Sequence, residues 1–261
     1  MKHFPLLFVP MLLVLLQVSA FGSPAIPNLN PGNAASLADR FFNEHMDDLQ
    51  VPGAAIVIVK DDALVYSQGY GFADLEEEIP VSPDETVFRA GSVSKLFTAT
   101  AVMQLYEEGL IDLDADVNNY LTRFQLNSPD GTPVTLAQLL THTSGLEENY
   151  MGMHVQTTEE LIPLGELLSH HMPPFYNTPG TIISYNDHGM SLAGYIVEEI
   201  SGISFEEYVL EHILRPLGMS FSTFAQPPEE WIMERMATGY RWVGGAYSAY
   251  PYDYLHIAPA A

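Results

Sequence analysis

Phe88-Arg89-Ala90-Gly91-Ser92-Val93-Ser94-Lys95 stands directly before a long apolar helical run, and it reads as a serine nucleophile followed by its base. A helix puts residues three apart on one face, so Ser92 Oγ and Lys95 Nζ meet if the helix begins at or near the serine. A serine hydroxyl is a poor nucleophile until a neighbour takes its proton. A lysine does so only where burial, nearby cations or a helix N-terminus favour its neutral form. Leu96 to Tyr106 (Leu-Phe-Thr-Ala-Thr-Ala-Val-Met-Gln-Leu-Tyr) is apolar almost all round, which predicts a core helix that carries Lys95 into the interior. Of the three lysines, Lys2, Lys60 and Lys95, only Lys95 is set in an apolar helix, and a buried ammonium needs a partner or a purpose. The bland alternative is a helix-start serine beside a lysine that snorkels to the surface.

The chain has 261 residues, no cysteine and a formal net charge of -24, from 33 acidic against 9 basic side chains. A surface so acidic repels phosphate backbones and anionic lipid, which argues against a nucleic-acid partner. Hydrophobic residues make up 47%, enough for a large core and too many for a disordered chain. Lys2 and His3 precede an apolar run from Leu6 to Leu16, and Val18-Ser19-Ala20 offers small residues for cleavage. Residues 1–20 therefore read as a secretory signal peptide. The run is too short to span hydrocarbon comfortably and contains Pro10. A secreted or periplasmic protein with no membrane span after cleavage is expected, and without cysteine it has no disulfide to lean on.

Residues 21–35, rich in Pro, Gly and Asn, read as a linker, and 36–261 as the folded part. Ser36 is the expected cap of a helix with Leu37, Phe41 and Met46 on its apolar face, ended by Val51-Pro52-Gly53. Ala54 to Val59, Lys60-Asp61-Asp62 and Leu64 to Tyr70 predict a hairpin with one face buried. Gly109 closes the Ser92 helix. Thr135 and Gln138 form a capping-box pattern leading into Thr141-His142-Thr143-Ser144-Gly145. Further helices are expected over 157–169 and Met190 to Ile200, and after a Ser204/Glu207 cap. An early hairpin followed by many helices predicts an α+β fold.

Four blocks in order resemble the β-lactamase-related serine hydrolases: class C β-lactamases, D-alanyl-D-alanine carboxypeptidases, D-aminopeptidases and related esterases. They are Phe88 to Lys95; Leu139-Leu140-Thr141-His142-Thr143-Ser144-Gly145-Leu146; Pro179-Gly180 followed by Ser184-Tyr185; and Leu214-Arg215-Pro216-Leu217-Gly218-Met219. Ser-x-x-Lys is itself a mark of the penicillin-recognising superfamily. The resemblance runs from about Phe41 to Ala261. It implies a β-lactamase/transpeptidase-like fold, with a helical domain beside an antiparallel sheet. It also implies Ser92 as the acylated nucleophile, Lys95 as its base and Tyr185 as the phenol that passes the proton to the leaving group. No cofactor and no metal are implied, and the partner is a small-molecule or peptide substrate.

Two departures stand out. The second motif of these relatives is Tyr-x-Asn, whose amide donates to an acylamino carbonyl of the substrate, whereas the third position here is Asp187. A carboxylate donates only when protonated, so a free amine or a simple ester suits Asp187 better than a penicillin. Asn186 is the alternative by a one-residue shift of register. No Lys-Thr-Gly or His-x-Gly tripeptide follows Tyr185, and the chain stops at Pro259-Ala260-Ala261. The expectation is an incomplete domain whose C-terminal strands are missing. A catalytically degenerate binding or regulatory protein of the same fold, or an inactive fragment, is the alternative to a working hydrolase. His142 is expected to orient its loop, His170 and His171 to bind no metal, and the aromatic residues from Trp231 to Tyr254 to pack a long loop.

Overall fold

A computed structural model describes residues 30–150 and 152–261. The expected leader and the first part of the expected linker lie outside the described residues. Helix α1, Pro31–His45, starts ahead of Ser36. Asn30 caps it by accepting from the Asn33 amide at 3.1 Å, and Asn33 returns the bond at 2.8 Å. Residues 31–35 are thus helix and not linker. Their Pro-Gly-Asn composition reads as loop, yet Pro31 fits a first turn, where its missing N–H costs nothing. Ser36 sits inside the helix and donates to the Gly32 carbonyl.

Strands β1, Gly53–Lys60, and β2, Ala63–Asp74, form the expected hairpin. Asp61 and Asp62 turn it with φ of 51° and 60°, the left-handed pair that a two-residue hairpin requires and that a short Asx side chain tolerates. Strand β3, Ile79–Pro80, adds to β2, giving the order β1-β2-β3. Helix α1 covers one face: Phe42 stacks on Tyr70 with centroids 4.4 Å apart, and Tyr70 donates to Asp39 at 2.7 Å. On that face Ala54, Ile56 and Ile58 are half-buried, while Val57, Val59 and Leu64 on the other side are exposed. The hairpin is therefore less deeply buried than expected.

A short 3₁₀ turn, Gly91–Val93, leads into α2, Ser94–Glu107. Its buried side, Ala101, Val102 and Leu105, joins Leu139, Leu192 and Ile196 in the main core. The all-round burial read from its composition does not hold, since Leu96 is 67% exposed and Met103 and Tyr106 also lie open. The helix has one core face like any amphipathic helix, and its outward face merely happens to be apolar. Helix α3, Leu136–Leu140, has the predicted Thr135/Gln138 capping box. Strand β4, His154–Val155, precedes a 3₁₀ turn at Thr158–Glu160, after which Pro163 restarts the chain as α4, Leu164–His171. The helix expected over 157–169 is thus split at a proline.

Helix α5, Asp187–Ser201, begins three residues before Met190 and ends at Gly202, where φ is +76°. Helix α6, Phe205–Val209, is capped by Ser204 as predicted and widens into a π turn over Leu210–Leu214. Helix α7, Glu230–Met233, follows. The aromatic stretch expected as loop contains a hairpin, β5, Gly239–Val243, with β6, Ala246–Tyr250. Gly244 and Gly245 turn it at positive φ, and Trp242 faces Tyr247 across the strands at 4.8 Å. Strand β7, Tyr254–Leu255, pairs with β4. Helices beside antiparallel strands make up the α+β architecture the sequence predicts.

Candidate active site

Ser92 lies in the 3₁₀ turn ahead of α2, where residues i and i+3 eclipse one another. Lys95 is consequently stacked over it, with Nζ 3.2 Å from Ser92 Oγ. The Tyr185 hydroxyl donates to the same Oγ at 2.8 Å. Lys95 is 8% exposed. Its Nζ also donates to the Ala260 carbonyl at 2.5 Å, lies 2.7 Å from Asp187 Oδ1 and sits 4.6 Å from the centre of the Tyr185 ring. Three oxygens thus lie close to the nitrogen, two as hydrogen-bond acceptors and the Asp187 carboxylate as its ion-pair partner.

Tyr185 owes its place to two loops stitched together. Gly180 N–H donates to the Thr143 carbonyl and Ser184 N–H to the His142 carbonyl, each at 2.7 Å. The His142 backbone is left-handed, φ 56°, and its ring packs 4.5 Å from that of Tyr185. His142 Nδ1 accepts from the Asn186 N–H at 3.1 Å. Burial, with the nearby Lys95 charge, holds His142 below its ordinary value and so keeps it a neutral acceptor. The loop-orienting part expected of His142 matches these contacts.

Asn186 is 1% exposed and spends its amide on the helix: Oδ1 accepts from Gly189 N–H at 2.5 Å, and Nδ2 donates to the Glu147 carbonyl at 2.7 Å. It does not face the serine, so the register alternative fails. Asp187, the first residue of α5, faces Lys95 instead. Ser92, Lys95, Tyr185 and Asp187 are therefore brought into one cluster.

Three neighbours escaped the sequence reading. Glu148 accepts from the Asp187 N–H at 2.7 Å. Burial raises its carboxyl above the ordinary value, and the Asp187 charge adds to the effect. Thr98, one turn past Lys95, is fully buried and donates to the Pro259 carbonyl at 2.6 Å. A polar residue one turn beyond a buried lysine was a usable signal for Thr98. The Ala260 carbonyl left none, because a main-chain acceptor has no residue type. His170 and His171 lie together on α4, and among the described residues no three His, Asp or Glu side chains converge as a metal site.

A cavity of ≈ 340 Å³ adjoins the serine turn, walled by Gly91, Val93, Phe97, Met219, Phe221 and Tyr252. A larger one of ≈ 760 Å³ is walled by Tyr195, Glu198, Ala258 and Pro259 and does not include Ser92. The smaller cavity lies against the residues that flank Ser92, and Ser92 itself is in the wall of neither.

The Beta-lactamase family model matches residues 38–260. A protein of Bacillus subtilis (strain 168) named penicillin-binding protein PbpX is 33% identical over 189 residues, covering 72% of this chain and 45% of that relative. Among solved structures, the octameric penicillin-binding protein homologue from Pyrococcus abyssi superposes with a TM-score of 0.71 at 33% identity, over 83% of this chain and 50% of that one. A class C beta lactamase superposes with a TM-score of 0.72 at 25% identity, over 90% and 62%. The chain thus spans about half the length of the first two. With the serine turn, the lysine and the tyrosine in one cluster and the family model running from residue 38 to 260, the chain belongs to the beta-lactamase family.

Proposed function

We propose that this chain carries the acylating machinery of a secreted or periplasmic serine hydrolase that forms an acyl-enzyme at Ser92. The observation that supports it most is the convergence of Lys95 Nζ and Tyr185 OH on Ser92 Oγ, at 3.2 and 2.8 Å. In the proposed reaction Ser92 Oγ attacks the acyl carbon while its proton passes to the Lys95–Tyr185 pair. The tetrahedral intermediate collapses as Tyr185 delivers a proton to the leaving alcohol or amine. Water then attacks the Ser92 ester along the same proton path and releases the acid. The Ser92 N–H is the one oxyanion donor this reading assigns.

The substrate class follows from charge. Asp187 and Glu148 offer acceptors at the edge of the cluster, which suits an ester or an amide bearing a free amine and gives no donor to an acylamino carbonyl. Secretion rests on the Lys2-to-Ala20 pattern alone. N-terminal sequencing of the exported protein tests it, and a start at Met1 would overturn it.

A fluorescent alkyl phosphonate tests the hydrolase. Stoichiometric labelling of the parent and none of Ser92→Ala is expected. The Lys95–Asp187 ion pair favours one second reading, a binding protein that keeps the cleft without turnover, and an unlabelled parent would select it.

A further inference from the structure

We propose that Asp253 is a positioning residue for Lys95. Its buried carboxylate joins the chain that enters the Ser92 turn to the segment that presents the Ala260 carbonyl to the lysine.

Asp253 has a side chain only 3% exposed, yet both oxygens are occupied. Oδ1 takes the Arg89 guanidinium, and Oδ2 takes His154 Nδ1 at 2.8 Å, with the Tyr250 hydroxyl at 3.5 Å. Burial opposes the charged form, but the Arg89 and His154 hydrogen bonds outweigh it and hold the carboxyl below its ordinary value. Arg89 stands three residues before Ser92, in the motif itself, and also lies 5.1 Å over the Tyr252 ring. His154 belongs to β4 and Asp253 directly precedes β7, so the carboxylate closes the end of the β4–β7 pair.

From Asp253 the chain reaches the lysine in seven residues and is fastened at each stage. Leu255 exchanges two 2.6 Å bonds with the Gln226 side chain, and His256 N–H donates to the Met153 carbonyl. Ile257 and Ala260 are buried with Met153, Leu167 and Met190. The Pro259 carbonyl then accepts from Thr98, and the Ala260 carbonyl from Lys95. The position of the Ala260 oxygen relative to Ser92 is therefore set at two ends: by Arg89 on the serine side and by the 254–261 segment on the other, both held by one carboxylate. A buried ion pair is weak evidence for stability taken alone. What this one supplies is registry between two stretches of chain that meet again at Thr98 and Lys95.

The inference builds on the assignment of Ser92 and Lys95 above, and its main readout is independent of turnover. The chain has three lysines, so protein grown with ¹³C,¹⁵N-lysine gives an assignable side-chain spectrum with exposed Lys60 as internal reference. Asp253→Asn is expected to move the Lys95 Cε/Nζ signal and leave that of Lys60 in place. It is also expected to slow phosphonate labelling of Ser92 by about 10- to 100-fold, as sub-ångström to ångström displacements of reacting groups do. Thr98→Val, which frees the same segment at Pro259, should move the Lys95 signal likewise, with less than additive effect in the double variant. An unmoved Lys95 signal in folded Asp253→Asn would overturn the proposal, whatever happens to the melting temperature. Should that variant not fold, His154→Gln removes one arm and keeps Arg89. A smaller shift in the same direction supports the proposal, and none overturns it. A parent that resists the phosphonate would defeat the hydrolase reading while the lysine spectrum still decides this one.

Discussion

Asp187 Oδ1 stands 2.7 Å from Lys95 Nζ, with side-chain exposures of only 11% and 9%. A carboxylate at that place accepts hydrogen bonds and gives none. Asp187→Asn supplies an N–H₂ group of the same shape and removes a charge beside the base. The variant is expected to be acylated by a fluorescent penicillin about tenfold faster than the parent, the worth of one well-placed hydrogen bond. Equal rates would place Asp187 outside the substrate contact.

Tyr185→Phe keeps the ring that packs on His142 and deletes the hydroxyl 2.8 Å from Ser92 Oγ. Ester hydrolysis should lose about 10²- to 10⁴-fold in kcat, the usual scale for a proton-transfer group, with KM little changed. A drop confined to KM would make Tyr185 a binding residue.

Stability should fall on mild acidification. Burial holds His188 below the ordinary histidine value of 6.5, with the Asp187 charge opposing it in part, and burial together with the Lys95 charge holds His142 there too. Below that value the unfolded chain takes up protons that the fold refuses, so the unfolded state binds more protons and stability declines as pH falls. Melting midpoints at pH 7.5 and 5.5 should differ, and His188→Gln should shrink the difference. An unchanged difference would show that His188 titrates freely in the fold. Glu148, raised by burial above 4.5, acts with the opposite sign from that value upward, so the comparison with the variant carries the test.

Gly194 on α5 leaves no room for a methyl group. A Cβ there would lie 2.5 Å from Pro259 Cβ and 2.6 Å from its Cγ. Gly194→Ala must push Pro259 away, at a cost of about 1 to 3 kcal/mol for overpacking. Because Pro259 and Ala260 offer their carbonyls to Thr98 and Lys95, activity should fall along with the melting temperature. Unaltered phosphonate labelling in a destabilised variant would separate the packing from the site.

Local rules carried much of the fold and faltered where distant contacts decide. The Thr135/Gln138 box, the Ser204 cap and the Asp61-Asp62 turn depend on neighbours within four residues, and each stands where the sequence puts it. Pro31 and Gly32 look like linker until Asn30 is recognised as a cap. The Gly244-Gly245 hairpin carried a readable signal, glycines between alternating aromatics, which the abundance of tyrosine obscured. At the site, three-residue spacing joins Ser92 to Lys95, whereas Tyr185 and Asp187, more than ninety residues on, were legible through the resemblance and not through local geometry. Glu148 and Ala260 become visible only when segments more than thirty residues apart in sequence meet.

The third contact of Lys95 is a main-chain oxygen. No substitution at position 260 can delete it. Mutation reaches it only by bending the path of the chain, through its anchors or through bulk at a fully buried alanine. Inheritance of this part of the site is thus inheritance of a shape, not a letter. Descendants can diversify the residues around the cleft, and with them the molecules admitted, while the lysine keeps one unchanging neighbour that residue-by-residue comparison of sequences does not register.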